Sequence, residues 1–252
     1  MRICSLASGS KGNATLVEAK RTRVLIDLGL SVREASLRLK CIDIPPASIR
    51  GVVITHEHVD HVRGAEGWAK RFKVPVHINP SSLSAMNGFE DGIEVCEFQS
   101  KEPFSIGDIL FSPFPLSHDA SDPVGFIVDD GKRKVGVVTD LGFATHLTVE
   151  KLKNLDGILL ESNHDLTMLL NGPYPWPLKQ RIRERTGHLS NEESADLLKK
   201  VSHDGLHFVL LAHLSEINNT PKKALECTKK ALKKFPKTFT SIAWQWRVGE
   251  IL

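Results

Sequence analysis

Four residues that could bind metal ions stand close together in the segment Thr55-His56-Glu57-His58-Val59-Asp60-His61. Imidazole suits zinc and other transition metals, and a carboxylate beside it suits zinc, manganese or iron. One metal ion rarely takes so many ligands from one short loop. The spacing of His56, His58, Asp60 and His61 therefore predicts two adjacent metal ions.

An apolar run, residues 51–54, precedes this cluster and is predicted to be a strand that ends at the histidines. The same order, an apolar segment followed by a residue that could bind metal, recurs along the chain at His118, Asp140, Glu161 and His213. Because several strands can end at one edge of a sheet, these side chains are expected to converge on one site.

Composition limits the class of protein. The chain has 252 residues, 41% of them hydrophobic and 25% charged, which is typical of a globular protein, and its net charge is only +3. Its four cysteines are scattered without a CxxC pair, so neither a disulfide framework nor a cysteine-rich zinc site is indicated, and a reducing, cytoplasmic location is favoured. Neither a signal peptide nor a membrane-spanning run is predicted.

The pattern of elements indicates an α/β fold with two stacked sheets covered by helices, in a single domain over residues 1–252. A tight turn is predicted at 8–13 and a proline-rich loop at 172–177. Strands are predicted at 2–6, 14–18, 24–27, 52–55, 74–78, 93–98, 109–113, 125–128, 134–140, 157–161, 208–212 and 241–247. Helices are predicted at 32–39, 62–72, 148–155, 191–201 and 221–235.

The HxHxDH segment, together with the later His118, Asp140 and His213, resembles the metallo-β-lactamase superfamily over nearly the whole chain. The resemblance implies a four-layer αββα sandwich with two divalent metals at the sheet edge. It implies that the first metal is held by His56, His58 and His118, the second by Asp60, His61 and His213, and that Asp140 bridges the two. An aspartate at the bridging position, where the β-lactam hydrolases have cysteine, argues against antibiotic hydrolysis. Asp27 and Glu161 are expected to brace the ligands from behind.

A second set of segments resembles one branch of that superfamily. His188 stands before a predicted helix as in ribonuclease Z, and segments 8–13, 116–126, 160–165 and 174–182 resemble the single-domain exonucleases of the YycJ (WalJ) type, relatives of the β-CASP nucleases. The resemblance implies 5′→3′ exonuclease activity on DNA, with RNA as the other possible nucleic acid, and zinc or manganese, or else iron, as the metals. Only 48 positions separate Asp140 from His188, so no β-CASP domain is inserted.

Roles follow from this resemblance and from general chemistry. Asp60 is expected to orient the nucleophile, His188 to protonate the leaving oxygen, and His164 to contact the site. Basic groups contact phosphates and aromatic faces stack on bases. The expected substrate contacts are Ser10, Asn13, Tyr174, Lys179, Arg181 and Ser190.

Two other functions are compatible with the same residues. A hydrolase of small thioesters or lactones would use the same ligands, although the basic and aromatic segment 174–185 favours a nucleic acid. A metal-binding regulatory protein without catalysis is the second alternative. Seven candidate ligands disfavour it, because a structural zinc site needs only about four. The oligomeric state and the choice between exonuclease and endonuclease stay open.

Overall fold

The computed structural model describes all 252 residues, and its first β-sheet has six strands in sequence order. They are β1 (Arg2–Ala7), β2 (Ala14–Ala19), β3 (Thr22–Ile26), β4 (Val52–Val53), β5 (Val76–Ile78) and β6 (Val95–Glu97). The pairs β1–β2 and β2–β3 are antiparallel, whereas β3 to β6 run parallel. Parallel pairing gives β3 and β4 the same direction, so their carboxyl ends lie at one edge.

The second sheet has seven strands in the order β13-β12-β11-β10-β9-β8-β7. They are β7 (Phe104–Ile106), β8 (Ile109–Pro115), β9 (Val124–Asp129), β10 (Lys134–Val138), β11 (Gly157–Glu161), β12 (Phe208–Ala212) and β13 (Phe239–Ile242). The strands from β7 to β10 pair antiparallel, and those from β10 to β13 pair parallel. The four parallel strands of this sheet therefore also end at a common edge.

Nine α-helices and one 3-10 helix, Pro46–Ser48, lie among these strands. The α-helices are α1 (Val32–Lys40), α2 (Val59–Val62), α3 (Ala65–Phe72), α4 (Pro80–Ala85), α5 (His146–Lys151), α6 (Leu166–Asn171), α7 (Trp176–Arg183), α8 (Asn191–Val201) and α9 (Pro221–Ala231). None of them is long and apolar enough to cross a membrane.

Three apolar clusters hold these layers together. The cluster between the sheets has 20 buried residues, including Val17, Phe126 and Leu210. Outside the first sheet, Leu39 of α1 and Trp68 of α3 pack on a second cluster, and helix α8 packs on a third outside the second sheet. The predicted four-layer αββα sandwich in a single domain is thus confirmed. A strand such as β11 is buried along its whole length because both of its faces are covered.

Three of the predicted site residues lie where the chain leaves a strand in the left-handed conformation. Asp27 follows β3 at φ 58°, Asp140 follows β10 at φ 53°, and His213 follows β12 at φ 54°. A residue other than glycine in a sparsely populated region costs on the order of 1–3 kcal/mol and persists only when the surrounding structure holds it there. The same backbone conformation thus recurs where strands of both sheets deliver their polar side chains.

Some predicted elements were wrong in their bounds. The predicted helix 62–72 is interrupted at Gly64, where a Cβ atom would lie 1.9 Å from the carbonyl oxygen of Leu30. The tail strand predicted at 241–247 is instead Phe239–Ile242, and Gln245 lies beyond it. The side chain of Gln245 bonds to the backbone of Lys11 and Gly12, which takes the tail away from the sheet.

Other elements were missed, among them β7, α4, α6 and α7. Helix α7 begins inside the segment that was predicted as a proline-rich loop. Pro175 is its N-cap and Pro177 lies in its first turn, where proline costs no backbone hydrogen bond. The prolines therefore mark the start of a helix.

Candidate metal centre

The HxHxDH segment is fixed from behind by a buried carboxylate, that of Asp27. Its Oδ1 accepts hydrogen bonds from the backbone N–H of Thr55 at 2.8 Å and from the Thr55 hydroxyl at 3.0 Å. Its Oδ2 lies 2.8 Å from Nδ1 of His61. With Nδ1 donating to the carboxylate, Nε2 of His61 presents a lone pair to the site. These are the contacts that the predicted bracing role of Asp27 requires.

Three histidines form the first group of candidate ligands. One ring nitrogen each of His56, His58 and His118 lies within 4.8 Å of the others, and Nε2 of His118 is 3.3 Å from Nδ1 of His58. The other nitrogen of His118 is 3.1 Å from the carbonyl oxygen of Gly187, which fixes the ring. Nitrogen atoms this close, and facing one another, are suited to share one cation.

Asp60, His61 and His213 form the second group, again within 4.8 Å. Oδ2 of Asp60 is 3.6 Å from Nε2 of both His61 and His213. Asp140 lies between the two groups. Its Oδ2 is 2.8 Å from Nε2 of His61, and with His56 and His61 it makes a further set of three candidate ligands. The structure therefore brings together all seven residues predicted as ligands.

Burial and charge decide the protonation of these groups. Burial lowers the pKa of His56 well below its usual value, and the nearby His61 lowers it further. Burial likewise lowers the pKa of His118. Burial would also lower the pKa of His61, but the carboxylates of Asp27 and Asp140 outweigh it and raise that pKa well above its usual value. His56 and His118 are therefore neutral, the form that binds metal, and the second group competes for a cation or a proton.

The donor set fits a divalent metal. Nε2 of His56 and Nε2 of His213 are both buried without a hydrogen-bond partner. Burial would raise the pKa of Asp140, yet the adjoining His213 and His61 hold it well below its usual value. An ionised buried carboxylate beside unpaired imidazole nitrogens needs a cation near it. Nitrogen and oxygen donors of this kind are compatible with zinc, manganese and iron.

A second buried carboxylate, that of Glu161, organises the other side of the site. Its Oε1 is 2.8 Å from Nδ1 of His188 and 2.9 Å from Nδ1 of His213. Its Oε2 accepts from the backbone N–H groups of Leu141 at 2.9 Å and Leu189 at 3.0 Å. Burial would raise the pKa of Glu161, but the facing His188 helps to hold it at about 2. Glu161 thus remains ionised and holds both histidines.

His188 is the predicted proton donor. Burial would lower its pKa, but Glu161 outweighs burial and raises the pKa above the usual value. His164, the third predicted catalytic residue, differs. It is buried, its Nδ1 has no partner, and burial lowers its pKa to about 4. It belongs to neither ligand group and does not line the pocket beside the centre, so the geometry does not support direct catalysis by His164.

A pocket of about 180 Å³ adjoins the centre. Three of the predicted substrate contacts, Ser10, Tyr174 and Arg181, lie in its wall together with His188 and His213. The guanidinium of Arg181 is paired with Asp119, at 2.7 Å from Nε to Oδ2. This pocket places hydroxyl, aromatic and cationic groups beside the candidate metal ligands.

The other predicted substrate contacts have different partners, and these assignments are corrected. The ammonium of Lys179 donates to the carbonyl oxygens of Leu170 and Gly172, both at 2.7 Å, and is buried. The hydroxyl of Ser190 caps α8 by exchanging hydrogen bonds with Glu193. Both groups are already satisfied inside the protein, so neither is available to a phosphate.

Asn13 also lies inside the protein and not in the pocket wall. Its amide nitrogen is 3.3 Å from Oδ2 of Asp60 and 3.0 Å from Nε2 of His61. We therefore assign Asn13 to orienting these two ligands.

Sequence reasoning missed two residues that hold the ligand loops. The hydroxyl of Ser8 accepts from the backbone N–H of His213 at 2.8 Å, and Oε1 of Gln245 accepts from the backbone N–H of Lys11 at 2.9 Å. Ser8 is the first residue of the predicted tight turn, and a polar side chain at that position could have indicated a contact with the site. Nothing in the local sequence of Gln245 indicates a contact over 200 positions away along the chain.

Comparison with known proteins agrees with this geometry. A family model described as the metallo-beta-lactamase superfamily matches residues 7–204. The chain therefore belongs to the metallo-β-lactamase superfamily, and it is a metal-dependent hydrolase.

Within that superfamily the chain is similar to two named exodeoxyribonucleases. It is 33% identical to exodeoxyribonuclease YycJ of Bacillus anthracis over 222 residues, 87% of this chain and 84% of that protein. It is 34% identical to exodeoxyribonuclease WalJ of Streptococcus pneumoniae over 226 residues, 87% of this chain and 83% of that protein. The predicted resemblance to this type is thereby confirmed.

The fold has a solved counterpart as well. The metallo-β-lactamase fold protein YhfI from Bacillus subtilis superimposes with a TM-score of 0.73, covering 98% of each chain at 15% identity. At that identity the likeness concerns the fold alone.

Proposed function

We propose that this chain is a dinuclear metal-dependent phosphodiesterase that removes nucleotides from DNA in the 5′→3′ direction. The observation that carries the proposal is the pocket in which Tyr174 and Arg181 adjoin His188 and the ligand His213. An aromatic ring can stack on a base, and a guanidinium can bind a phosphate. A nucleic acid carries both groups, whereas a small thioester or lactone does not. The activity printed in the names of the two exodeoxyribonuclease relatives supports the same substrate class.

The chemistry divides between the metals and the chain. Divalent metals, when bound, lower the pKa of water from about 15.7 to about 7 and neutralise developing charge on phosphoryl oxygens. In this proposal the carboxylate of Asp60 orients the attacking oxygen, and Asn13 holds that carboxylate at 3.3 Å. Glu161 raises the pKa of His188 above its usual value, which favours the protonated form. Protonated His188 then donates a proton to the leaving oxygen.

The proposal also covers the metals, the domain organisation and the cellular location. Zinc or manganese, or else iron, are the proposed metals, because the donor set mixes imidazole with carboxylate. Residues 1–252 are proposed to act as one catalytic domain without a β-CASP insertion. The four cysteines are all free, and Cys41 is exposed, which supports a reducing, cytoplasmic location.

The test is a substrate panel with the protein loaded with zinc or with manganese. It contains 5′-phosphorylated single- and double-stranded DNA, the matching RNA, bis(p-nitrophenyl) phosphate, a thioester and a lactone. We expect 5′-phosphorylated DNA to be shortened progressively, and Asp60→Asn to abolish this. Asp196→Asn, on the exposed face of α8, is the matched control and should retain full activity. Hydrolysis of the thioester or lactone without cleavage of nucleic acid would replace this proposal with the small-molecule alternative.

A further inference from the structure

A second cavity, of about 240 Å³, lies next to the pocket of the candidate metal centre. Leu214 and Ser215, which directly follow the ligand His213, line both cavities. Most of the remaining wall of the second cavity is apolar and includes Trp244 and Trp246. A group bound in the second cavity would therefore lie next to the pocket of the metal centre, with Leu214 and Ser215 between them.

Trp246 in this wall is 64% exposed, the highest value among the large apolar side chains of the chain. Packing in the core does not account for such a side chain. Its orientation is nevertheless fixed, because its indole N–H donates to Glu216 and the ammonium of Lys11 lies 4.5 Å from the ring centroid. The ammonium of Lys11 also pairs with Glu216 at 2.7 Å. The ring is thus exposed and held in one orientation, with the Lys11 ammonium over one of its faces.

Cationic side chains lie near this ring, beside the carboxylate of Glu216. Lys11 carries one cation, and Arg63 reaches the same loop by donating to the carbonyl oxygen of Lys11 at 3.3 Å. The guanidinium of Arg247 lies 3.9 Å from the ring of Trp244, another residue of the cavity wall. An oriented aromatic face flanked by cations is the arrangement that binds single-stranded nucleic acid, because bases stack on the ring while phosphates meet the charges.

We propose that the cavity walled by Trp246 receives an unpaired base of the substrate, next to the nucleotide whose bond is cleaved, with its phosphate beside Lys11. This inference rests on the proposed nuclease function and adds a base-binding position to it. A base held inside a duplex cannot stack on a protein ring. The base must therefore be unpaired when it enters the cavity, either because the end is single-stranded or because its terminal pair opens there.

The experiment compares Trp246→Ala and Trp246→Phe with the wild-type metal-loaded protein. Stacking on one aromatic ring contributes enough that its loss should raise the KM for a 5′-phosphorylated single strand by about tenfold, with kcat kept. Trp246→Phe keeps a stacking face and should stay within about threefold of wild type. The KM for bis(p-nitrophenyl) phosphate, which has no base, should not change. Phe239→Ala removes an exposed ring at the start of β13, which does not line the cavity, and is the control.

A second readout does not depend on turnover. Binding of the single strand should quench the tryptophan fluorescence of the wild type, and Trp246→Ala should lose that part of the quenching. Unchanged KM and quenching in Trp246→Ala, with wild-type cleavage intact, would overturn this inference and leave the nuclease proposal standing. Failure of the wild type to bind or cleave any oligonucleotide would overturn both. If Trp246→Ala changed the sedimentation of the protein but neither bound nor cleaved DNA differently from the wild type, the ring would instead be assigned to a contact between two copies of the chain.

Discussion

The two sheets hold their candidate metal ligands in different ways. In the first sheet, Asp27 fixes a loop whose candidate ligands lie close together in sequence, between His56 and His61, and it needs only Thr55 and His61 as partners. In the second sheet, Glu161 joins groups that come from distant parts of the chain, since it accepts from Leu141, His188, Leu189 and His213. Candidate ligands that are close in sequence need few contacts from the rest of the chain. Histidines from distant segments depend instead on one buried carboxylate that contacts them all.

Only the hydrogen bonds of Glu161, in the second sheet, reach the proposed proton donor, His188. A substitution of His188 is therefore expected to have the largest effect on activity. Replacing His188 with Asn should lower kcat on an oligonucleotide by about 10²- to 10⁴-fold, the usual contribution of general acid catalysis. The loss should be much smaller with a p-nitrophenyl leaving group, which departs without protonation. Metal content, measured by atomic absorption, should stay unchanged, because His188 lies outside both groups of predicted ligands. An equal loss on both substrates would show that His188 does not act on the leaving oxygen.

The two bracing carboxylates can be compared directly by Glu161→Gln and Asp27→Asn. Loss of a brace behind metal ligands typically costs about 10- to 100-fold in metal affinity or activity. We expect the loss to be about 100-fold for Glu161→Gln and about 10-fold for Asp27→Asn. The amide that replaces the Glu161 carboxylate would face two imidazole and two backbone donors.

Stability should follow the same order. Each buried donor left without an acceptor costs about 1–3 kcal/mol, and Glu161 serves more of them than Asp27 does. Urea unfolding of the metal-free variants measures this, with Glu150→Gln, an exposed acid on α5, as the control. A larger destabilisation by Asp27→Asn would contradict the contrast drawn between local and dispersed ligands.

The same contrast explains how far the sequence could predict the molecule. Periodicity indicated two stacked sheets and the strand ends, because these are visible in sequence. The four-layer sandwich and the full set of candidate ligands followed from the family resemblance that the HxHxDH segment carries. The roles of Lys179 and Ser190 could not be predicted in this way. A lysine that bonds to two carbonyl oxygens has the same sequence appearance as one that meets a phosphate. Gln245 was missed because its partners in the loop at 9–12 lie at the other end of the chain.

A histidine without a bracing carboxylate should behave in the opposite way to His61. His77, in β5, stacks on Phe104 with ring centroids 5.7 Å apart, and its Nε2 has no partner. Burial lowers its pKa from 6.5 to about 4. Between these two pH values the unfolded chain binds a proton at this position and the folded protein does not, so the free energy of unfolding falls as the pH falls from about 6.5 to about 4. Above that window His77 is neutral in both states and contributes no pH dependence.

Replacing His77 with Phe keeps the stacked ring and removes the titrating group. The free energy of unfolding of His77→Phe, measured in urea at constant metal content, should therefore fall less than that of the wild type between pH 6.5 and pH 4. At about pH 8 the two proteins should differ only by the packing of the new ring. His164, whose pKa burial also lowers to about 4, is common to both proteins and cancels in the comparison. An identical pH dependence in the two proteins would mean that His77 becomes protonated in the folded state at no cost, and that a histidine of this sheet needs no carboxylate beside it.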